Sequence, residues 1–237
     1  MPTENTRTDG DGGTVVAEAR WVAPAVLTGL PLLGAALGWG LVLIAEWITG
    51  LSWFPFQGLF ELLTDLPRAV QVVGGTALGL VVGLVLAVWV VSELLTVTVG
   101  REGLRFKRGD DEQEVARGDV ASVFLDGKRL VVLGHRRQEL AQTEFDLDRE
   151  QLAAALRKHG YLWQPGGDPY GGEFKRWVPG AEGLPSGADA LLKARDRALE
   201  KSDEGDLREL REELAGLGVV VRDRDKKQYW RRSDPVA

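Results

Sequence analysis

Few side chains in this sequence are of a type and spacing that could carry out covalent chemistry. The chain has 2 His and no Cys, which excludes thiolate zinc sites and cysteine nucleophiles. His135 and His159 stand at no spacing typical of metal ligands and beside no nucleophile motif, and no glycine-rich phosphate loop follows a strand-like segment. We therefore expect no enzymatic activity, no cofactor and no bound metal.

The residues that could bind a ligand are cationic and lie near the end of the chain. Basic residues interleaved with aromatic rings can contact phosphates and stack on unpaired bases, and such binding falls steeply with salt. Trp230 also has a structural interpretation, as a lid over Leu210 and Leu214, which is favoured because strand alternation places Tyr229 and Trp230 on opposite faces. The candidate nucleic-acid contacts are Arg222, Arg224, Lys226, Lys227, Tyr229, Trp230, Arg231 and Arg232.

The elements that carry these residues follow from a very uneven distribution of charge. Residues 21–98 hold five charged side chains, and residues 21–45 and 69–92 hold none. Each uncharged run is long enough to cross a hydrocarbon core of about 30 Å as a helix. The polar, acidic start and the length of the first run argue against a signal peptide. We predict a disordered N-terminal tail over 1–20 and a transmembrane α-hairpin over 21–93, with spans at about 21–46 and 69–93.

Cations beside the two runs predict their orientation. Arg7 and Arg20 precede the first run and a cluster over 101–108 follows the second, whereas the connection carries only Arg68, at its far end. Lys and Arg are enriched on the cytoplasmic side of membrane spans. We therefore expect a multi-pass protein of the plasma membrane with both termini in the cytoplasm and the lipid bilayer as its first partner.

Small residues recur at four-residue spacing within both runs. Such a stripe lets helix backbones approach closely in lipid, either between the two spans of one chain or between two chains in a dimer. A hairpin supplies its own partner at high effective concentration, which favours packing within the chain. The candidate helix-packing residues are Gly34, Gly38, Gly75, Gly79 and Gly83.

Residues 94–162 carry a β pattern that ends in one helix. Apolar residues alternate over 95–99, which predicts a strand, and Asp126-Gly127 between two apolar runs predicts a β-hairpin. Asp148 is placed to cap a helix that ends near Gly160. Several short strands and one helix after a transmembrane hairpin resemble a bacterial pleckstrin-homology-like domain. The resemblance implies a small β-barrel or sheet with a C-terminal helix, in a class whose members bind lipid headgroups or proteins.

The last third of the chain contains a linker and a compact segment. Residues 163–186 are rich in Gly, Pro and aromatic residues, which predicts a linker lying along a folded surface, because a flexible linker has few aromatics. Residues 187–237 predict two helices, over 188–201 and 204–217, followed by a two-stranded hairpin.

This final segment resembles the tail of cysteinyl-tRNA synthetases, which in those enzymes helps to recognise the anticodon. The likeness lies in residues 210–223 and 230–232, with Ala194-Arg195 matching the first helix of that tail. The chain departs at Arg208, where that family carries Asp, and at the turn 224–227, where it carries Thr-Pro-x-Gly. No nucleotide-binding domain is present, so aminoacylation is excluded.

The whole arrangement resembles a family of actinobacterial membrane proteins of the YqeB type, which implies two spans, a pleckstrin-homology-like domain and a synthetase-like tail. The expected fold class is an α+β membrane protein. The net charge of −6 argues against a chain that binds nucleic acid over its whole surface. The function that we predict is a non-enzymatic membrane adaptor that presents cytosolic modules to an unknown protein partner. The alternative is a membrane-tethered RNA or tRNA binder that uses the C-terminal segment.

Overall fold

The computed structural model describes residues 6–8, 12–49 and 67–233, which form two compact units of an α+β protein. The first unit contains two long helices, α1 (Val22–Thr49) and α2 (Arg68–Ser92). The strands before the C-terminal helices are β1 (Thr6–Thr8), β2 (Thr14–Ala17), β3 (Thr96–Val99), β4 (Gly103–Arg108), β5 (Asp111–Ala116), β6 (Val120–Asp126), β7 (Arg129–Gly134), β8 (Glu139–Glu144), β9 (Trp163–Gln164) and β10 (Lys175–Arg176). The remaining elements are α3 (Arg149–Lys158), α4 (Ala188–Lys201), α5 (Glu204–Gly216), β11 (Val219–Arg224) and β12 (Lys227–Arg232).

Helices α1 and α2 correspond to the two uncharged runs. Both are long and apolar enough to cross a membrane, over Val22–Ile44 and Arg68–Ser92, and only 6% and 11% of their most apolar windows are buried. The core helix of a soluble protein would be mostly buried, whereas these helices expose large side chains such as Leu32 and Val73. The two helices contact each other along one stripe of glycines and leave their other faces open.

The first β-sheet contains a strand that sequence reasoning missed. Its strand order is β1-β2-β3-β4-β5, so β2, which precedes α1, pairs with β3, which follows α2. Val16 in β2 is fully buried. The expectation of a disordered tail over 1–20 is therefore wrong for β1 (Thr6–Thr8) and β2 (Thr14–Ala17), which pair with each other. The β-branched run of β2 also pairs with β3, about 80 residues further along the chain. Residues 1–5 and 9–11 of that tail lie outside the described residues.

The second sheet has the strand order β8-β7-β6-β9. The predicted turn at Asp126-Gly127 is confirmed, because Asp126 pairs with Arg129 and Gly127 has a φ of 61°. Gln113 of β5 donates a hydrogen bond to the carbonyl of Leu140 in β8 at 3.0 Å, which links the two sheets. The described strands thus form open sheets, and the closed barrel among our expectations is not confirmed. We refer to β1–β9 and α3 as the β domain.

Helix α3 follows the second sheet and ends the predicted β pattern. The predicted cap is confirmed, because the Asp148 carboxylate accepts hydrogen bonds from the backbone N–H groups of Glu150 and Gln151. Leu152 and Leu156 are buried on one face, and Gly160 follows the helix with a φ of 73°. Local sequence rules therefore describe this element well.

The C-terminal helices and strands, together with β10, form what we call the C-terminal module (residues 175–233). Helices α4 and α5 pack on a three-stranded sheet of order β10-β12-β11. Its core contains Trp177, Leu192, Leu214, Val221 and Trp230. We expected residues 163–186 to be a linker along a folded surface. This expectation is wrong, because these residues supply strands to two sheets and Trp177 to a core.

Candidate functional site

The eight candidate nucleic-acid contacts divide into a buried group and an exposed group. All of them lie on β11 and β12 or on the turn between these strands. Arg222, Trp230 and Arg231 are 3%, 4% and 2% exposed, which excludes them from contact with a ligand in this conformation. The exposed or half-exposed group consists of Arg224, Lys226, Lys227, Tyr229 and Arg232.

Three carboxylates from earlier in the sequence surround the buried Arg222. Its guanidinium lies 2.6 Å from Asp168, 3.1 Å from Asp126 and 3.2 Å from Glu139. The ring of Phe174 lies 4.5 Å from the same guanidinium. A buried cation needs paired charges of this kind, because desolvation alone would cost several kcal/mol. Arg222 therefore joins the C-terminal module to the β domain.

Arg231 takes part in the same junction. It donates a hydrogen bond to the carbonyl of Arg137 at 2.7 Å and lies 3.9 Å from the Asp168 carboxylate. The aromatic rings of Tyr170 and Phe174 lie 5.6 and 5.3 Å from its guanidinium. The side chain of Asp168, 2% exposed, thus lies between two buried arginines. We call Arg222, Arg231, Asp126, Glu139 and Asp168 the junction network.

Burial changes the proton affinities of two members of the network. Desolvation raises the pKa of Glu139 above its ordinary value of 4.5, and the nearby Arg222 opposes this rise. Desolvation also lowers the pKa of Arg231, while Asp168 and Glu139 act in the opposite direction. Both directions show that burial, and not only the attraction between opposite charges, governs this site.

A second buried arginine cluster holds the C-terminal module together. Arg195 of α4, fully buried, donates two hydrogen bonds to the Asp223 carboxylate at 2.6 and 2.7 Å and one to Gln228 at 3.1 Å. Gln228 in turn donates to the carbonyl of Leu192 at 2.9 Å and to Asp196 at 3.2 Å. The Ala194-Arg195 and Arg222-Asp223 pairs that carried the resemblance to the synthetase tail are thus structural residues in this chain.

Trp230 belongs to the core of the C-terminal module. It clusters with Leu214 and Val221, and Leu210 is half-buried. Trp177 lies in the same cluster and donates a hydrogen bond from its indole to Asp189 at 3.0 Å. Neither ring is free to stack on a base. Trp230 packs with Leu214, as the lid interpretation predicts, whereas Leu210 is not part of this cluster.

Two of the exposed cations, Lys226 and Lys227, line a cleft at the turn between β11 and β12. The cleft has a volume of about 240 Å³. Arg176 and the apolar Val178 and Pro179 from the region predicted as a linker contribute to it. Its remaining lining residues are Trp177, Asp196, Lys226, Lys227 and Gln228. Sequence reasoning missed Lys175 and Arg176 here because their strand pairs with β12 only through tertiary folding.

The five candidate helix-packing glycines lie at the contact between α1 and α2. A Cβ atom at Gly34 would overlap the carbonyl oxygen of Gly79, and a Cβ atom at Gly38 would overlap that of Gly75. Gly83 lies equally close to the backbone of residues 30–31. These contacts are made between two helices of one chain, as expected for packing within the hairpin.

Both histidines make hydrogen bonds within the β domain. His159 lies 2.9 Å from the Thr14 hydroxyl through Nε2, and His135 lies 3.1 Å from the carbonyl oxygen of Gly118. Burial and the neighbouring Lys158 lower the pKa of His159 below 6.5. Within the described residues, no group of three or more His, Cys, Asp or Glu is placed to hold a metal ion.

Comparisons with known proteins find a matching family for each of two segments of the chain. Residues 14–164 match the family described as the YqeB-like bacterial PH domain. Residues 181–231 match the family described as the cysteinyl-tRNA ligase anticodon binding domain. A protein from Bacillus subtilis (strain 168), named Uncharacterized protein YqeB, is 38% identical over 205 residues, which cover 86% of this chain and 85% of that protein. No solved structure matches.

Proposed function

Because the chain belongs to the family of the YqeB-like bacterial PH domain, we propose that it is a non-enzymatic integral membrane adaptor. Helices α1 and α2 anchor it in the plasma membrane, and both termini lie in the cytoplasm. The β domain and the C-terminal module are the surfaces that it offers to a cytosolic protein partner.

The pairing of β2 with β3 is the observation that carries this proposal. Four residues separate β2 from α1, and three residues separate α2 from β3. Because β2 and β3 are neighbours in one sheet, the segments just before and just after the two apolar helices lie together. An antiparallel pair of membrane helices brings its flanking segments together in this way. The pairing of β2 with β3 requires the start of α1 and the end of α2 to be on the same side of the bilayer.

The junction network supports a role in presentation rather than in catalysis. Arg222 and Arg231 connect the C-terminal module to Asp126, Glu139 and Asp168. The β domain and the C-terminal module also belong largely to one compact unit. A rigid body displays a fixed surface, and a fixed surface binds a partner with a smaller entropic cost of ordering.

The absence of cysteine makes the topology directly measurable. We expect Cys introduced at Ser52, in the connection between the runs, to react with a membrane-impermeant maleimide on intact cells. We expect Cys at the exposed Ser186 to react only after the membrane is permeabilised. The reverse pattern would overturn the cytosolic placement of both modules and with it the adaptor.

Recruitment of a partner tests the adaptor itself. A proximity-labelling enzyme fused to the full chain should label cytosolic proteins that the same enzyme does not label when fused to residues 18–95 alone. Identical labelling by the two fusions would mean that the modules recruit nothing and would contradict the proposal.

A second candidate function is RNA binding by the C-terminal module, which the match of residues 181–231 to an anticodon binding domain favours. Arg224, Lys226, Lys227 and Arg232 remain exposed for it. Titration of the full chain with tRNA at low and high salt tests this function. Binding that disappears in the Lys226→Glu, Lys227→Glu double variant would support it, and no binding at low salt would exclude it.

A further inference from the structure

We propose that the cleft at the β11–β12 turn, together with the outer edge of β10, is a docking site for an extended acidic peptide of a protein partner. This inference rests on the proposed adaptor function and names the chemistry of its partner. The site consists of Arg176, Lys226 and Lys227 around the apolar Val178 and Pro179, with the exposed Lys175 next to Arg176 on β10, and we call it the basic edge.

The charge of the basic edge is opposite to that of the whole chain. Among the described residues that line the cleft, Arg176, Lys226 and Lys227 face one carboxylate, Asp196. That carboxylate already accepts a hydrogen bond from Gln228 at 3.2 Å. In a chain with a net charge of −6, a local group of exposed cations attracts a negatively charged ligand and speeds its association.

The backbone of β10 offers the second part of the site. This strand is an edge of its sheet, whose order is β10-β12-β11. Trp177 donates its backbone N–H to the carbonyl of Gln228 at 2.9 Å, and hydrogen-bonded pairs alternate along an antiparallel ladder. The Arg176–Tyr229 pair is therefore the pair without mutual hydrogen bonds. The N–H and C=O of Arg176 point away from β12, toward the open side of the sheet, where an added strand would pair.

Apolar surface beside these groups gives the site a place for a side chain. Val178 is 52% exposed and lines the same cleft as Pro179 and the edge of Trp177. Alternate side chains of an added strand point to one face. A peptide in which acidic and apolar or small residues alternate would therefore match the cations and the apolar floor together.

The position of the aromatic rings favours a peptide over single-stranded nucleic acid. Binding of unpaired bases uses exposed rings as stacking platforms. Trp177 and Trp230 are 8% and 4% exposed, and the half-buried Tyr229 has the Arg224 guanidinium 5.8 Å from its ring centre. The basic edge thus offers charge and a backbone edge without a platform for bases.

The test measures binding of defined probes to the full chain in lipid nanodiscs by fluorescence anisotropy. The probes are a fluorescein-labelled 12-residue peptide of alternating Glu and Val, the same peptide with alternate backbone N–H groups methylated, and a labelled 12-nucleotide oligouridine. We expect the first peptide to bind, and we expect the Lys226→Glu, Lys227→Glu double variant and the separate Arg176→Glu variant each to weaken it by about tenfold. We expect methylation of the peptide backbone to weaken binding by about threefold or more.

The control reverses two exposed cations of the β domain, Lys128 and Arg157, to Glu and should leave the affinity within about twofold. Circular dichroism and intrinsic tryptophan fluorescence, to which the buried Trp177 and Trp230 contribute among the 8 Trp of the chain, verify that each variant is folded. Absence of peptide binding at low salt, or equal binding by the variants of the basic edge, would overturn the docking site. Tighter binding of oligouridine than of the peptide would assign the surface to nucleic acid instead.

Failure of this inference differs from failure of the adaptor proposal. If the basic edge is wrong and the adaptor is right, proximity labelling still distinguishes the full chain from residues 18–95, and charge reversal at Lys226 and Lys227 does not alter it. If the adaptor is wrong, that distinction disappears whatever the peptide does.

Discussion

The Arg222 guanidinium lies among Asp126, Glu139 and Asp168 at distances between 2.6 and 3.2 Å. A buried ion pair is weak evidence for stability as a whole, because desolvation offsets much of the attraction. Removal of one partner is different, because it leaves the other charge buried without compensation. The junction network is therefore most sensitive at Asp168, which lies nearest to Arg222 and also lies beside Arg231.

Asp168→Asn should lower the free energy of unfolding by about 3 kcal/mol, because it removes the charge that compensates two buried arginines. Asn keeps the oxygen that accepts the backbone N–H of Tyr170, so the local turn is retained. Denaturant unfolding of the full chain, followed by tryptophan fluorescence, measures the change. Asp146→Asn, at an exposed position, is the matched control, and an equal effect of the two substitutions would contradict the role of the network.

Glu139→Gln should alter the pH dependence of stability. Burial raises the pKa of Glu139 above 4.5, so the folded chain retains a proton that the unfolded chain has already lost. The free energy of unfolding of the wild type therefore falls as the pH rises from 4.5 through the folded pKa. Gln does not titrate, so the stability of the wild type relative to the variant should decrease as the pH rises from about 4.5 through the folded pKa of Glu139.

Thermal unfolding of both proteins across this pH range measures that difference. Glu182→Gln, at an exposed glutamate, is the control and should track the wild type. A wild type that gains stability relative to Glu139→Gln as the pH rises would show that the arginines, and not burial, govern the Glu139 carboxyl group.

At the scale of elements, the close contact between helices α1 and α2 depends on glycines, because a residue without a side chain lets the two backbones approach each other. Their contact passes through glycines whose Cβ positions overlap the backbone of the opposite helix. In the proposed membrane location, lipid offers no hydrophobic driving force for association between helices, and close packing of this kind supplies the attraction. The helix pair therefore has little tolerance for added volume at the contact and much tolerance elsewhere.

Gly79→Ala should lower the thermal stability of the chain in detergent, since the new methyl group overlaps the carbonyl oxygen of Gly34. Gly74→Ala is the matched control in the same helix, because nothing lies within 4 Å of its Cβ position. The control should equal or exceed the wild type in stability, given that Ala favours a helix by about 1 kcal/mol over Gly. Size measurements should show an unchanged oligomeric state in both variants, and loss of a dimer in Gly79→Ala would favour packing between chains.

At the scale of the whole molecule, the first β-sheet is assembled from segments that precede α1 and segments that follow α2 in the sequence. Val16 in β2 is fully buried, and the Thr14 hydroxyl lies 2.9 Å from His159 at the end of α3. A segment of the chain that precedes the helices is thus part of the β domain.

Val16→Ala should lower the free energy of unfolding of the β domain by about 2 kcal/mol, because it leaves a cavity in a closed core. Val178→Ala, at a position that is 52% exposed, should change it by less than about 0.5 kcal/mol. Denaturant unfolding of the full chain compares the two. Equal stability of both variants would show that β2 is dispensable to the domain.

Sequence reasoning succeeded where the decisive contact is local. The two apolar helices, the turn at Asp126-Gly127 and the cap at Asp148 can each be predicted from residues that are close together in the sequence. The structure contains all of these features. It failed where the partner is distant. Arg222 and Arg231 have the sequence pattern of a solvent-facing strand, yet their partners lie up to 94 residues away.

The same reason explains the strands that were missed. A short hairpin is expected to expose one face, but here α4 and α5 cover one face of β11 and β12 while the β domain covers part of the other. Strands β2 and β10 are short, and each enters its sheet by pairing with a strand that is distant in the sequence, β3 or β12. Neither fact is present in the local composition of the chain.

The position of β2 ahead of the helices also fixes an order of events during synthesis. At about 5–20 residues per second, a ribosome makes β2 roughly 4–16 s before β3. During this interval β2 lacks its second partner, β3, and is an edge strand, while, in the topology proposed above, both apolar segments enter the bilayer. In that topology the sheet is completed only after the second segment has returned the chain to its original side. A chain whose second segment failed to insert would keep an incomplete β-sheet, a defect that chaperones and proteases recognise.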